Sequence, residues 1–195
     1  MSQAKASIDY PFPSLVLTKG DAAYPATLIG RLGANAPSTL FAMGNIEILS
    51  LPKTALFCSR KYPGSVILPT YDQAVKWRDT GRCVIGGFHS PIENECLRIL
   101  LRGKQPIIIC SARSLPKIIP PEWKQSLSDN RLLILSAFPE TASRPTIALA
   151  ERRNQLVAAL ADEAYFAHIA PTGTTARLAT RVAESGIPIR KGSAL

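Results

Sequence analysis

The chain has 195 residues and a formal net charge of +9. Apolar residues make up 46% of it, which is enough for a hydrophobic core and excludes an intrinsically disordered chain. No apolar run approaches the roughly 20 residues of a membrane span, and residues 1–5 lack the apolar start of a secretory signal. We therefore expect a cytoplasmic protein without membrane contact, whose basic charge favours partners that carry phosphate.

The first 50 residues differ from the rest of the chain because prolines interrupt them at positions 11, 13, 25 and 37. The short apolar pieces between these prolines predict one or two short strands, with a small helix over residues 24–32. We interpret residues 1–50 as an N-terminal extension that packs on a larger domain formed by residues 51–195.

From residue 54 onward, short apolar runs alternate with stretches of helical spacing. The predicted strands cover residues 55–58, 82–87, 106–110, 132–137, 164–170 and 187–189. The predicted helices cover residues 71–80, 91–102, 121–127, 146–160 and 174–185. Strands that are apolar throughout are buried on both faces, so this alternation predicts a doubly wound, mainly parallel sheet covered by helices, which is an extended Rossmann-like α/β fold.

The functional prediction rests on the loops that follow three of these strands, because ligands of an open parallel sheet bind beyond the carboxyl ends of its strands. Small, hydroxyl and cationic residues share these loops. They are Ser59, Arg60, Lys61 and Tyr62 after the first strand, Gly86, Gly87 and Phe88 after the second, and Thr172, Gly173, Thr174 and Thr175 after the fifth. Backbone N–H groups, hydroxyls and a guanidinium suit phosphate oxygens, so the loops predict a phosphate or nucleic-acid site.

A second basic element, Arg152-Arg153-Asn154, lies within the helix predicted over residues 146–160. It is either a solvated helix face with local ion pairs or a clamp on phosphate, and the pattern leaves both interpretations open. Tyr62 and Phe88 follow strand ends and are the best candidates for stacking on nucleic-acid bases, with ordinary loop packing as the other interpretation.

Several kinds of site are disfavoured. The chain contains neither a Gly-x-Gly-x-x-Gly run nor a P-loop, which argues against a dinucleotide cofactor and against nucleoside triphosphate hydrolysis. The four cysteines form no close ligand pair, which argues against zinc. His89 follows a strand, but no nucleophile with a fixed partner accompanies it. We expect no cofactor, no metal and no catalytic residue, so a binding protein is favoured over an enzyme.

Six short motifs occur along the chain in the order and spacing of one protein family. They are Tyr24-Pro25-Ala26-Thr27-Leu28, Leu40-Phe41-Ala42-Met43-Gly44-Asn45, Cys58-Ser59-Arg60, Gly86-Gly87, Arg153-Asn154 and Thr172-Gly173-Thr174-Thr175-Ala176. Together they resemble the DNA-processing protein A (DprA/Smf) family over roughly residues 18–190. The resemblance implies an extended Rossmann fold and a homodimer that binds single-stranded DNA and hands it to a RecA-type recombinase in natural transformation. It also implies a phosphate contact at Arg60 and a turn role for Ser59.

The chain departs from the family pattern at several positions. Cys58 stands where the family turn opens with glycine, Gly86-Gly87 replaces a serine-glycine pair, Glu93 replaces an aspartate, and Gln155 replaces the second arginine of an arginine-asparagine-arginine motif. These departures bear on the transformation role more than on the fold. The alternative function is a nucleotide-binding sensor or a nucleotide-processing Rossmann-like protein.

Overall fold

The computed structural model describes residues 12–192. Residues 1–11 of the predicted extension and residues 193–195 of the predicted main domain lie outside the described residues. The strands are β1 (Ser14–Thr18), β2 (Thr39–Gly44), β3 (Lys53–Cys58), β4 (Cys83–Gly86), β5 (Ile107–Ser111), β6 (Leu132–Ser136), β7 (Glu163–His168) and β8 (Ile189–Lys191). The helices are α1 (Ala26–Leu32), α2 (Ile67–Asp79), α3 (Pro91–Leu101), α4 (Pro121–Ser128), α5 (Ile147–Leu160) and α6 (Thr174–Glu184).

All eight strands form one sheet in the order β1-β2-β6-β5-β4-β3-β7-β8. The strands from β3 to β8 pair in parallel, while β1 pairs antiparallel with β2 and β2 antiparallel with β6. This confirms the predicted doubly wound, mainly parallel α/β fold. It also brings β1 and β2, which belong to the predicted extension, into the main sheet, with Phe41 opposite Ser136. The domain boundary at residue 50 stays a prediction.

The sheet separates two hydrophobic clusters. On one face, side chains of α1, α5 and α6 pack against a stacked pair of rings, Phe57 and Phe166, whose centroids lie 5.1 Å apart. On the other face, α2, α3 and α4 cover the sheet, and Trp77 meets Tyr165 edge to face. Every residue of β3 is buried because helices cover both of its faces. Fully burying a large apolar side chain such as Phe166 contributes roughly 1.5–3 kcal/mol to the free energy of unfolding, before the loss of conformational entropy is subtracted.

Most predicted boundaries of strands and helices differ from those of the structure by one or two residues, and the start of α2 differs by four. The helix predicted over residues 71–80 begins at Ile67. Thr70 therefore lies inside it, where its hydroxyl donates to the carbonyl of Val66 at 2.6 Å. Pro69 is tolerated in the first turn of α2 because N–H groups there have no partner within the helix. The last strand begins at Ile189, two residues later than predicted, and is followed by Gly192, whose N–H donates to the carbonyl of Phe166.

The N-terminus of α3 follows its prediction closely. Ser90 caps the helix, Pro91 occupies its first turn, and Ser90 and Glu93 form a reciprocal capping box. This helix start follows directly from the loop after β4, so it places Glu93 beneath the carboxyl edge of the sheet. None of the helices within residues 12–192 is long and apolar enough to cross a membrane.

Candidate functional site

The topology places the loops after β3, β4 and β7 side by side, since β3 lies between β4 and β7 in the sheet. The chain leaves β3 toward β4, β5 and β6 on one side and later adds β7 and β8 on the other. Such a reversal of strand order opens a crevice at the carboxyl ends of the strands, where ligands of open α/β sheets bind. We call the loops at this edge, residues 59–63, 87–90 and 169–173, the carboxyl rim.

Ser59 joins two of the rim loops. Its N–H donates to the carbonyl of His168 at 3.0 Å, and its hydroxyl accepts a hydrogen bond from the N–H of Ala170 at 2.9 Å. The residue is only 4% exposed. The N–H and the hydroxyl of Ser59 are therefore both engaged with the end of β7.

Arg60 and Lys61 follow Ser59 and are exposed, and neither forms an ion pair within residues 12–192. Tyr62 is half-buried and packs against the cluster under α2 and α3. Two cationic side chains thus stand on the rim without a carboxylate from the described part of the chain. Such groups keep their full capacity to bind an external anion.

The loop after β7 contributes the start of a helix. Thr172, Gly173 and Thr174 are exposed, Thr175 is half-buried, and α6 begins at Thr174 without a side-chain cap. The first N–H groups of a helix have no partner within it, and the helix dipole adds partial positive charge there. The rim therefore combines an uncapped helix N-terminus with the cations of the loop after β3.

The loop after β4 differs from the prediction at Phe88. Its ring is 5% exposed and packs over Gly86, so Phe88 does not present the open aromatic face that stacking on bases requires. The backbone at Phe88 has a φ of 48°, a conformation that bulky side chains rarely adopt. Burial of the ring at the edge of the α2–α3 cluster compensates for this backbone conformation.

Arg153 lies on α5 and is buried, so it is not part of a solvated helix face. Its guanidinium is buried against the backbone of Gly87, where any Cβ would overlap it. Nη1 donates to the carbonyl of Cys110 at 3.2 Å, and Nε donates to Oδ1 of Asn154 at 2.8 Å. Burial lowers the pKa of Arg153, while the negative charge of Glu93 raises it. Of the predicted basic element, only Arg152 is exposed, with its guanidinium 5.6 Å from the centre of the Phe138 ring.

A cavity of about 440 Å³ opens beyond the carboxyl ends of β4, β5 and β6. Gly87, Phe88 and Arg153 line it together with residues that the sequence analysis did not single out, notably Ser111 and Trp123. The sequence did contain a signal for Ser111, because Cys110-Ser111-Ala112-Arg113 at the end of β5 resembles Cys58-Ser59-Arg60 at the end of β3. Trp123 had none, since it lies on α4, and a loop of nine residues separates α4 from the preceding strand in the sequence.

The carboxylate of Glu93 is a further feature that the sequence analysis missed. It is 8% exposed and accepts hydrogen bonds from the backbone N–H groups of Cys58 at 2.8 Å, of His89 at 3.0 Å and of Ser90 at 3.0 Å. In the sequence, Glu93 stood out only as the replacement of an aspartate in the family pattern. The bond to Cys58, at the end of β3, depends on the tertiary fold.

Within residues 12–192 no group of three His, Cys, Asp or Glu side chains is placed to hold a metal ion. The cysteines are buried and free, and burial raises the pKa of Cys58 and of Cys110 to about 12. A thiol with such a pKa stays protonated at neutral pH and is a poor nucleophile.

An open, mainly parallel sheet with exposed cationic residues at its strand-order reversal places this chain among the doubly wound α/β proteins. The family model of DNA recombination-mediator protein A matches residues 15–187, so the chain belongs to this family. This confirms the resemblance that its motifs carry. Among curated proteins, none matches the sequence.

Two solved structures share the fold. The crystal structure of DNA processing protein A (DprA) from Streptococcus pneumoniae aligns with 95% of this chain, with a TM-score of 0.74 and 22% identity. The alignment covers 65% of the S. pneumoniae chain, so this protein spans less than two thirds of its length. DNA processing protein A from Helicobacter pylori, whose structure concerns its single-stranded DNA binding mode, matches 93% of this chain and 81% of its own, with a TM-score of 0.71 and 19% identity. At these identities the likeness establishes the fold.

Proposed function

We propose that this protein binds single-stranded DNA through phosphate contacts at the carboxyl rim. The observation that carries the proposal is the exposure of Arg60 and Lys61, without an ion pair in the described part of the chain, beside the uncapped N-terminus of α6. The net charge of +9 adds a long-range attraction for polyanions. Membership of the family and the DNA-binding mode of the H. pylori protein support the same ligand.

The proposal extends to the finer role that the family resemblance implies. The protein acts as a homodimer in the cytoplasm and hands the bound strand to a RecA-type recombinase during DNA uptake or recombination. A phosphate-contacting rim fits such a role, because contacts to the DNA backbone carry no base information and accept any incoming strand. The mass of the protein in solution, compared with the chain mass of 21.1 kDa, tests the dimer.

A labelled single strand of about 20 nucleotides is expected to bind at low salt, with log K falling linearly against log salt by roughly 0.7 per phosphate contact. Fluorescence anisotropy over a range of salt concentrations measures this slope. A duplex of the same length serves as the comparison. Absence of binding at about 50 mM salt would remove the proposal.

The cavity beside the rim supports a second candidate, a nucleotide-binding sensor or a nucleotide-processing protein. Its volume of about 440 Å³ falls within the range of small-molecule sites, and it combines the buried cation of Arg153 with the indole of Trp123. If a mononucleotide is the natural ligand, it should raise the melting temperature of the protein at concentrations above its Kd. A DNA single strand added alone, with no mononucleotide present, should not raise it. Thermal-shift measurements with the four deoxynucleotides distinguish the two candidates.

A further inference from the structure

We infer that Glu93 is a positioning residue, which holds the loops after β3 and β4 together and thereby sets the direction of Arg60 on the rim. The inference rests on the proposed function, because its consequence is measured as DNA binding. Glu93 itself is buried and faces the protein interior, so it acts through the backbone of its neighbours.

One oxygen of the carboxylate has an ordinary local role. Oε2 accepts from the N–H groups of His89 and Ser90, both at 3.0 Å, and so completes the capping box of α3. Any glutamate three residues after a serine N-cap can do this. These bonds fix the loop after β4 to the start of α3.

The other oxygen makes a contact that capping does not explain. Oε1 accepts from the N–H of Cys58 at 2.8 Å. The ladder between β3 and β4 ends where Leu56 pairs with Gly86, so Cys58 lies two residues beyond it. The carboxylate oxygen therefore takes the place of the next β4 carbonyl and continues the hydrogen bonding of β3 past the end of its neighbour.

The two residues before Arg60 are consequently held on opposite sides. Successive N–H groups of a strand point in opposite directions within the sheet. The N–H of Cys58 donates to Glu93 on the β4 side. The N–H of Ser59 donates to the carbonyl of His168 on the β7 side. With both N–H groups engaged, the chain enters the turn at Arg60 in one orientation.

The sign of the electrostatic effect makes this role testable. A negative charge close to the rim repels phosphate, so removing it should strengthen DNA binding if charge alone matters. Removing it should weaken binding if Glu93 positions the loops. Glutamine keeps the size of the side chain but retains only one acceptor oxygen, so it cannot serve the N–H groups on both sides.

We therefore expect Glu93→Gln to weaken binding of a labelled single strand about tenfold and to lower the salt slope by roughly 0.7, the value of one phosphate contact. The matched control is Glu95→Gln, which removes the same charge two residues along α3 from a surface pair with Arg98. Glu95→Gln is expected to leave binding unchanged or slightly tighter. The inference is overturned if the wild-type protein binds DNA and Glu93→Gln binds as tightly or more tightly.

A double-mutant cycle separates positioning from a general loss of structure. If Glu93 acts through Arg60, the variant that combines Glu93→Gln with Arg60→Ala should bind about as weakly as Arg60→Ala alone. Losses that simply add would overturn the inference. Should Glu93→Gln not fold, as judged by circular dichroism, Glu93→Asp takes its place. It keeps the charge but is one methylene shorter, and the same non-additive loss is expected. A wild-type protein that binds no DNA contradicts the proposed function itself, and the inference with it.

Discussion

Arg60→Ala is expected to weaken single-stranded DNA binding by about tenfold or more at low salt, since a charge-assisted hydrogen bond contributes about 1.5–3 kcal/mol. The guanidinium is exposed on the carboxyl rim and has no ion pair within residues 12–192, so its removal costs the fold little. The loss should be similar for strands of different base composition, because a phosphate contact carries no base information. Anisotropy titrations with several homopolymeric strands measure it.

Arg102→Ala is the matched control for Arg60→Ala. Arg102 is exposed at the C-terminal end of α3, and the parallel topology puts that end at the opposite edge of the sheet. Each variant removes one positive charge, so the two variants have the same net charge. We expect the affinity of Arg102→Ala to change less than about twofold, since exposed charges more than a Debye length apart are largely screened. Equal losses in the two variants would mean that total charge, and not the rim, governs binding.

Gly44→Ala is expected to lower the free energy of unfolding by about 3 kcal/mol, the sum of a strained backbone and overpacking. Gly44 ends β2 with a φ of 99°. A Cβ there would overlap the carbonyl oxygen of Leu132 and lie 2.9 Å from Cδ2 of Leu127. The carbonyl belongs to β6 and cannot move without disturbing the sheet. Thermal or urea unfolding measures the loss, which corresponds to a fall in Tm of roughly 10 °C for a chain of this length.

Two other glycines separate the causes of that loss. Gly33 has a φ of 53° and a ψ of −125° but open space around its Cβ position, so Gly33→Ala measures backbone strain without overpacking, about 1 kcal/mol or more. Gly30 lies within α1 with open space and an ordinary backbone, so Gly30→Ala should stabilise the protein by about 0.5–1 kcal/mol. If Gly44→Ala loses no more stability than Gly33→Ala, the packing of β2 against β6 is looser than described.

Most of the secondary structure from residue 53 onward was predictable because it depends on local patterns. Apolar runs such as that of β3 and the capping serine of α3 act over a few residues. The N-terminal strands were harder to place. Their apolar pieces predicted short strands, but pairing with β6 joins segments far apart in the sequence.

The candidate site was predictable to the extent that topology determines it. Parallel strands send their carboxyl ends to one edge, so the loops containing Ser59 and Thr172 were expected at the same edge once the strands were recognised. Their adjacency depends on the strand order, in which β3 pairs with β7. The burial of Phe88 and Arg153 was not predictable in the same way. The burial of Arg153 depends on the space that Gly87 leaves for a guanidinium from α5, and the ring of Phe88 packs over Gly86.

The amino-acid sequence by itself determined the alternation of strands and helices, the edge at which the functional loops gather and the positive charge of the protein. These properties follow from residue types and spacings that act locally or sum over the chain. Only the tertiary structure decided which cations remain exposed, which aromatic ring is buried and how Glu93 reaches the end of β3. Each of these depends on contacts between segments that are distant along the chain, where packing and desolvation override local preference.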